Sequence, residues 1–574
     1  MTRRPGFSAF LAGTLMATIA IGVIGTAVVL QHPHLMSRIK SHLPSLGDLT
    51  GPGPTQPVDL SAVLVRCAVD GPGTAISPLI YGVALAYAPD LQALGATVDR
   101  WGGNPSSRYN WVIGHAWNAS RDWEFRNVNY TGGQGSTADN FVAQALAANV
   151  QPLLTVPTLG WVARNTDNDT RSVGVPDQGG AARAPGSAAI PGYDPTANQR
   201  LTSVPSLARK PGPFSDPPDP KALAVYQDEW VHHLMDQFGA APRGVSYYAM
   251  DNEPDLWSYT HTDVHPVQMS YDDMLRNFED YATAVKAQDP RALILGPDLS
   301  GWTAYWYSAL DRGSDNFGTH ADRSAHGGQP FIAWWLNQVA AHDRATGQRS
   351  LDVLDVHYYP QADGVDSKAA DPATQALRIR SVRSLYDLNY VDESWISQPV
   401  MLIPRLRAWI NQYYPGTKLA ITEYRWGGDK DASGAVALAE VLGIFGREGV
   451  DLATYWQYPD PATPAGAAFR IYRNFDGKGG TFGDRSLPCT SSATPIRVFG
   501  SRHSDTGEID LVLVNESPNV TSTVRVDLGQ LAPKAVDRFQ ILAGSGNISG
   551  PQPAAVGGLD LPGYSVTLLR LKGA

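Results

Sequence analysis

The chain has 574 residues, 43% hydrophobic and 17% charged, which is too long for one ordinary core and excludes a disordered chain. A net charge of -10 excludes nucleic acid as a partner, because phosphate binding needs a basic face. The 15 Trp and 24 Tyr suit a neutral ligand with faces to stack on; most of these rings are expected in the core and a minority in a cleft.

Thr2-Arg3-Arg4 precedes an uncharged run from Phe7 to Leu30. As a helix it is long enough to span a bilayer, with its basic front end cytoplasmic. It is read as an uncleaved anchor rather than a signal peptide, because no small-residue cleavage site follows Val28-Val29-Leu30. Segment 1–30 is thus assigned as the anchor or signal and 31–58, rich in Pro, Gly and Ser, as a linker. Either way the body of the protein is expected outside the cytoplasm, membrane-anchored or, if the segment is cleaved, secreted.

From 59 to 69 apolar and polar residues alternate as in a strand, and 59–75 is read as part of a β-sandwich. Short β-branched runs then alternate with helical stretches, the pattern of parallel βα units. The strand candidates are 80–85, 97–101, 152–157, 245–250, 293–296, 353–358, 418–424 and 451–457. Helices are expected over 141–149, 226–238, 271–288, 331–346, 401–414 and 435–448. This pattern predicts an α/β chain with a (β/α)8 TIM barrel over 76–480.

The stretch 164–220 is dominated by Gly, Pro, Ser, Asp and Asn and is expected to be a cleft wall, with 303–328 and 361–397 as smaller walls. After Pro488 only short strands remain, at 496–500, 509–515, 523–528, 535–542 and 564–571. They make 481–574 a C-terminal β-sandwich, completed by the N-terminal strand. Cys67 and Cys489 then meet near one junction, where they either form one bridge or stay as two buried thiols.

Polar groups gather at the C-terminal ends of the barrel strands, the face where side chains from separate strands converge. These are Arg100, Trp101 and Asn104; Trp161; Asn252, Glu253 and Trp257; His357, Tyr358 and Tyr359; Glu423 and Tyr424; and Trp456. Glu253 and Glu423 suit cleavage of a glycosidic bond, which needs one protonated carboxyl and one ionised carboxylate. Arg100 favours an ionised nucleophile, and Trp257 and Trp456 are candidates for the apolar walls that raise the acid's pKa. His357 has no second His or Cys at a ligand spacing, so no metal site is assigned. His261 and His265 are read as loop-packing or substrate contacts, and Asp167-Asn168-Asp169 leaves room for a structural calcium ion.

Four stretches resemble glycoside hydrolase family 44: residues 100–111, 251–257 with Thr260-His261 and Val264-His265-Pro266, 355–360, and 421–424. The resemblance runs from about Ile76 to Ile471. It implies a barrel joined to a sandwich made from both chain ends. It also implies retaining endo-hydrolysis of β-1,4-glucans, often xyloglucan, without a required cofactor. Carried over by residue, Glu253 matches the acid/base, Glu423 the nucleophile and Asn252 a contact to the sugar 2-hydroxyl. Arg100, Tyr358 or Tyr359, and Trp456 match supporting groups. The expected partner is a β-glucan polysaccharide acted on by a monomer. A clan A hydrolase of xylan or mixed-linkage glucan, and a non-catalytic cell-surface glycan binder, are the alternatives.

Overall fold

The computed structural model describes residues 62–118, 126–129, 137–166, 203–261, 264–265, 267–313 and 316–573. The segment read as an anchor, the linker, Asp167-Asn168-Asp169 and the middle of the 164–220 loop lie outside the described residues.

Eight parallel strands close into a barrel in chain order: Gly82–Ala84, Val98–Trp101, Gln151–Val156, Tyr247–Met250, Leu293–Leu299, Val353–Tyr358, Lys418–Tyr424 and Leu452–Tyr455. The eighth pairs back onto the first, Thr454 beside Gly82. The sixth and seventh strands keep the bounds read from sequence, and the other six differ by one to three residues at one or both ends. The first strand starts later because Ser77 caps a short helical turn at Pro78–Ile80. The fifth continues through Pro297 to Leu299, where the sequence reading stopped it at Gly296.

The expected helices form, as Ala138–Ala147, Gln227–Phe238, Tyr271–Gln288, Phe331–Thr346, Leu402–Tyr413 and Ala432–Glu448. Ser270 and Asp273 make a reciprocal capping box at the start of the third of these. Ala88–Leu94 and Pro464–Arg473 are further helices that the sequence reading missed; both are short and begin beside a proline. The walls expected at 303–328 and 361–397 carry short helices, among them Trp302–Trp306 and Pro372–Ser381. The 164–220 stretch is not structureless at its far end: Ser203–Leu207 pairs with Trp161–Ala163 and with Val225–Tyr226.

Both chain ends build the second unit. Val63–Cys67 pairs parallel with Ser522–Asp527 and antiparallel with Cys489–Ser491, in a four-stranded sheet. Cys67 lies opposite Cys489, and the two form a disulfide. The facing sheet has seven strands, centred on Ile509–Asn515 and Ser565–Lys572. Every residue of Ile509–Asn515 is buried, for a period-two reason. Leu511 and Leu513 face the sandwich core, whereas Val512 and Val514 join the barrel's core. Against that second face lies Ala432–Glu448, buried on all sides from Ala432 to Gly446. Gly443 permits the close approach, since a Cβ there would fall 2.4 Å from the Phe499 ring.

Candidate active site

Strand alternation sorts the side chains of the barrel mouth. The floor is an apolar layer of Val98, Leu153, Ala249, Leu295, Val353, Ala420 and Leu452. Two residues further along the strands, the inward positions become polar: Arg100, Thr155, Asp251, Asp355, Thr422 and Thr454 are all buried. His357 follows Asp355 at the next inward position and is fully buried.

Two bulges change the order. In the seventh strand, Val356 pairs with Ile421 but His357 pairs with Glu423, so Thr422 is an extra residue. Simple alternation from Ala420 would have aimed Glu423 outward; the bulge turns it into the mouth. In the fifth strand, Pro297 pairs with Asp355 and Leu299 with Val356, leaving Asp298 as the extra residue. After the fourth strand the chain turns sharply, with Asp251 at φ 69° and Glu253 at φ 47°. The carboxylate of Asp251 holds that turn, accepting from Ser107 Oγ and from the backbone N–H groups of Asn252, Thr158 and Leu159.

Arg100 is the hub. Its Nη1 donates to Glu423 Oε1 at 2.7 Å, and its Nη2 donates to Asn252 Oδ1 at 2.9 Å and to Asp298 Oδ2 at 3.3 Å. Tyr359 donates its hydroxyl to the other Glu423 oxygen at 2.7 Å. Glu423 is therefore held by charge-assisted bonds on both oxygens. Asn252 Oδ1 also accepts from Gly103 N–H, so its amide NH2 points the other way, towards Asn104 Oδ1 at 3.0 Å.

Glu253 meets a different environment. Its side chain is 12% exposed and lies 2.9 Å from His357 Nδ1. Burial pushes its carboxyl up to about 7, against the downward pull of His357. Burial opposes the charge of His357, but Glu423 and Asp298 beside it outweigh that and raise it well above the ordinary imidazole range. Burial and Asp298 together push Asp355 up to about 8, beneath the bonds it receives from Thr422. Oxygens of Glu253 and Glu423 lie within 4.8 Å of each other.

A family model described as glycoside hydrolase family 44 matches residues 116–362. The solved structure of a Paenibacillus polymyxa xyloglucanase from that family, with xyloglucan, is 30% identical and superimposes with a TM-score of 0.77 over 89% of this chain and 100% of that one. The chain belongs to glycoside hydrolase family 44. A bifunctional glucanase-xylanase from a metagenome library is 35% identical, with a TM-score of 0.78 over 89% of this chain and 99% of that one. Endoglucanase A of Paenibacillus lautus is 34% identical over 77% of this chain; the chain spans 62% of that relative's length.

In this family-44 barrel the residues named from sequence divide into two groups. Arg100, Asn104, Asn252, Glu253, His357, Tyr359 and Glu423 come together at the mouth. Trp456 stands half-buried at the rim, its ring centroid 5.9 Å from the Arg100 guanidinium. Half-buried Trp161 lies in the small sheet that follows the third strand.

The other group does not reach the cleft, which corrects the expectation that Trp101, Trp257, Tyr358 and Tyr424 contact substrate. Trp101, Tyr358 and Tyr424 follow inward residues and therefore point outward into the layer of helices. Trp101 packs edge-on against Tyr109, Tyr358 against Trp426, and Tyr424 edge-on against Phe445. Trp257 is 1% exposed and donates its indole N–H to the backbone carbonyl of Asn252, bracing the turn from beneath. His261 is buried and His265 half-buried, desolvation pushes both towards the neutral form, and His265 packs edge-on against Trp257.

Sequence reading missed Asp298. The signal was the Gly296-Pro297-Asp298 step at the end of an apolar run, which was read as the strand's end. Among the described residues, Glu253, His357 and Glu423 are the group close enough to share a metal ion. Within that group Arg100 and Tyr359 hydrogen-bond the two oxygens of Glu423, and His357 Nδ1 lies within hydrogen-bond distance of Glu253.

Proposed function

We propose that the protein is a retaining, endo-acting glycoside hydrolase that cleaves β-1,4-glucan backbones, of xyloglucan or cellulose type, by double displacement. The observation that carries this reading is the unlike pair Glu253 and Glu423, with oxygens within 4.8 Å and opposite electrostatic settings. That spacing leaves no room for the intervening water of an inverting enzyme and suits direct attack on the sugar. The printed names of the relatives, endoglucanase, xyloglucanase and glucanase-xylanase, support the substrate class.

The roles follow from the contacts. Glu253, protonated because it is buried, gives its proton to the glycosidic oxygen as the bond breaks. Glu423, aimed by Arg100 and Tyr359, attacks the anomeric carbon and forms a glycosyl-enzyme. Glu253, now ionised, takes a proton from water, which attacks the same carbon and frees Glu423. The Asn252 amide faces the site to bond the sugar 2-hydroxyl, and Trp456 offers a ring face at the rim. No step needs a cofactor.

We take 76–480 as the catalytic unit and 59–75 with 481–574 as the sandwich. The Cys67–Cys489 bridge supports work outside the cytoplasm, where disulfides persist. A tether through residues 7–30 rests on their sequence alone; among the described residues no helix is long and apolar enough to cross a membrane.

The test is product analysis on xyloglucan, carboxymethylcellulose and xylan, with proton NMR of the first-formed anomer. Internal cleavage of a glucan with a β-anomer released first supports the reading. Binding without product, or an α-anomer first, overturns it.

A further inference from the structure

Asp298 is a buried carboxylate that touches three parts of the site. Its Oδ1 ion-pairs with Nε2 of His357, and its Oδ2 accepts from Arg100 Nη2 at 3.3 Å. Its backbone carbonyl accepts the N–H of Glu253 at 3.0 Å. Asp298 thus ties together the main chain carrying Glu253, the ring that bonds the Glu253 carboxyl, and the guanidinium that bonds Glu423. The bulge that makes it the extra residue of the fifth strand brings it there, and its φ of 54° lies in the left-handed region that L side chains seldom adopt.

We propose that Asp298 is a positioning residue for the hydrolysis: with Glu423 it keeps both ring nitrogens of His357 protonated, so that Nε2–H faces Asp298 and Nδ1–H donates to Glu253, and by drawing on Arg100 it fixes the guanidinium against Glu423. This rests on the function proposed above. A ring this deeply buried otherwise gives up its proton; Glu423 and Asp298 together supply the negative charge that opposes this, and Asp298 alone also sits on Nε2. The charged ring then stands 2.9 Å from Glu253 and limits how far burial raises that acid.

The experiment is Asp298→Asn in the full chain, which keeps the side-chain shape and the backbone bond to Glu253 but removes the charge. The expected result is a fall in kcat on the order of 10²-fold and an alkaline limb of kcat/KM moved up by about one pH unit, because Glu253 loses its nearest cation. A purely structural role would lower activity with the limb in place. A limb that does not move, or activity within about twofold of the parent, overturns the proposal. The second measurement needs no folded variant at position 298. Nitrogen NMR of the parent protein, with the His357 signal assigned from His357→Gln, should find both ring nitrogens protonated at neutral pH. A neutral His357 overturns the proposal. If the parent hydrolyses no glucan the proposed function fails whatever His357 shows, whereas glucan hydrolysis with a neutral His357 overturns only the role of Asp298, so the two failures are distinguishable.

Discussion

Replacing Glu253 by Gln removes the group whose proton the leaving sugar needs, while keeping its size. Burial places that carboxyl up at about 7, whereas an ordinary glutamate titrates near ~4.3. Activity requires the protonated form in the first step, so kcat/KM of the parent should fall as pH rises through about 7. One unit above that point only about a tenth of the acid is protonated, and the rate should drop roughly tenfold for each further unit. In Glu253→Gln this limb should vanish. Its kcat on xyloglucan should fall by about 10²- to 10⁴-fold, the range of a general acid. An aryl cello-oligosaccharide with a good leaving group needs no proton, so its first step should be largely spared. Azide, an anionic nucleophile that needs no general base, should then replace water and release the stalled glycosyl-enzyme as a β-glycosyl azide. The assay is initial rates on both substrates from about pH 4 to about pH 9, with and without azide. Equal losses on both substrates, or an alkaline limb that survives in the variant, would refute the assignment of the acid.

Glu423→Gln should abolish turnover of both substrate types, by about 10⁴-fold or more, with no rescue of the first step by a good leaving group. Tyr424→Phe should keep parental kcat/KM and lose no stability in a urea melt, because its buried hydroxyl has no hydrogen-bond partner among the described residues to forfeit. Breaking the Cys67–Cys489 bridge, which closes a span of 422 residues, should lower unfolding stability by about 2–5 kcal/mol in the purified protein while leaving kcat unchanged. Gly443→Ala should destabilise the contact between barrel and sandwich by about 1–3 kcal/mol, read as an earlier thermal transition, because the new methyl meets the Phe499 ring.

Much of this protein was legible in its sequence because the signals are local. The run of β-branched segments separated by amphipathic stretches specifies parallel βα units, and the acid-amide-acid-proline cluster after Met250 marks a strand breaking into a loop. The two carboxylates and the arginine were found on those grounds, and the turn to short strands after Pro488 gave the second unit. What sequence left undecided depends on which way a side chain points. Trp101, Tyr358 and Tyr424 adjoin mouth residues in the chain, yet strand alternation sends them into the helical layer. Glu423 faces the mouth only because Thr422 is a bulge residue, and Asp298 reaches Arg100 and His357 only because the fifth strand bulges in turn. A bulge is set by pairing with a neighbouring strand far away in sequence, so its effect on direction cannot be counted along one chain. Likewise the pairing of Cys67 with Cys489 and the total burial of Ile509–Asn515 exist because both chain ends return to one sandwich, whose second sheet is also the barrel's wall. Residue types supplied the chemistry; strand register and the meeting of distant segments decided which of those residues the chemistry can use.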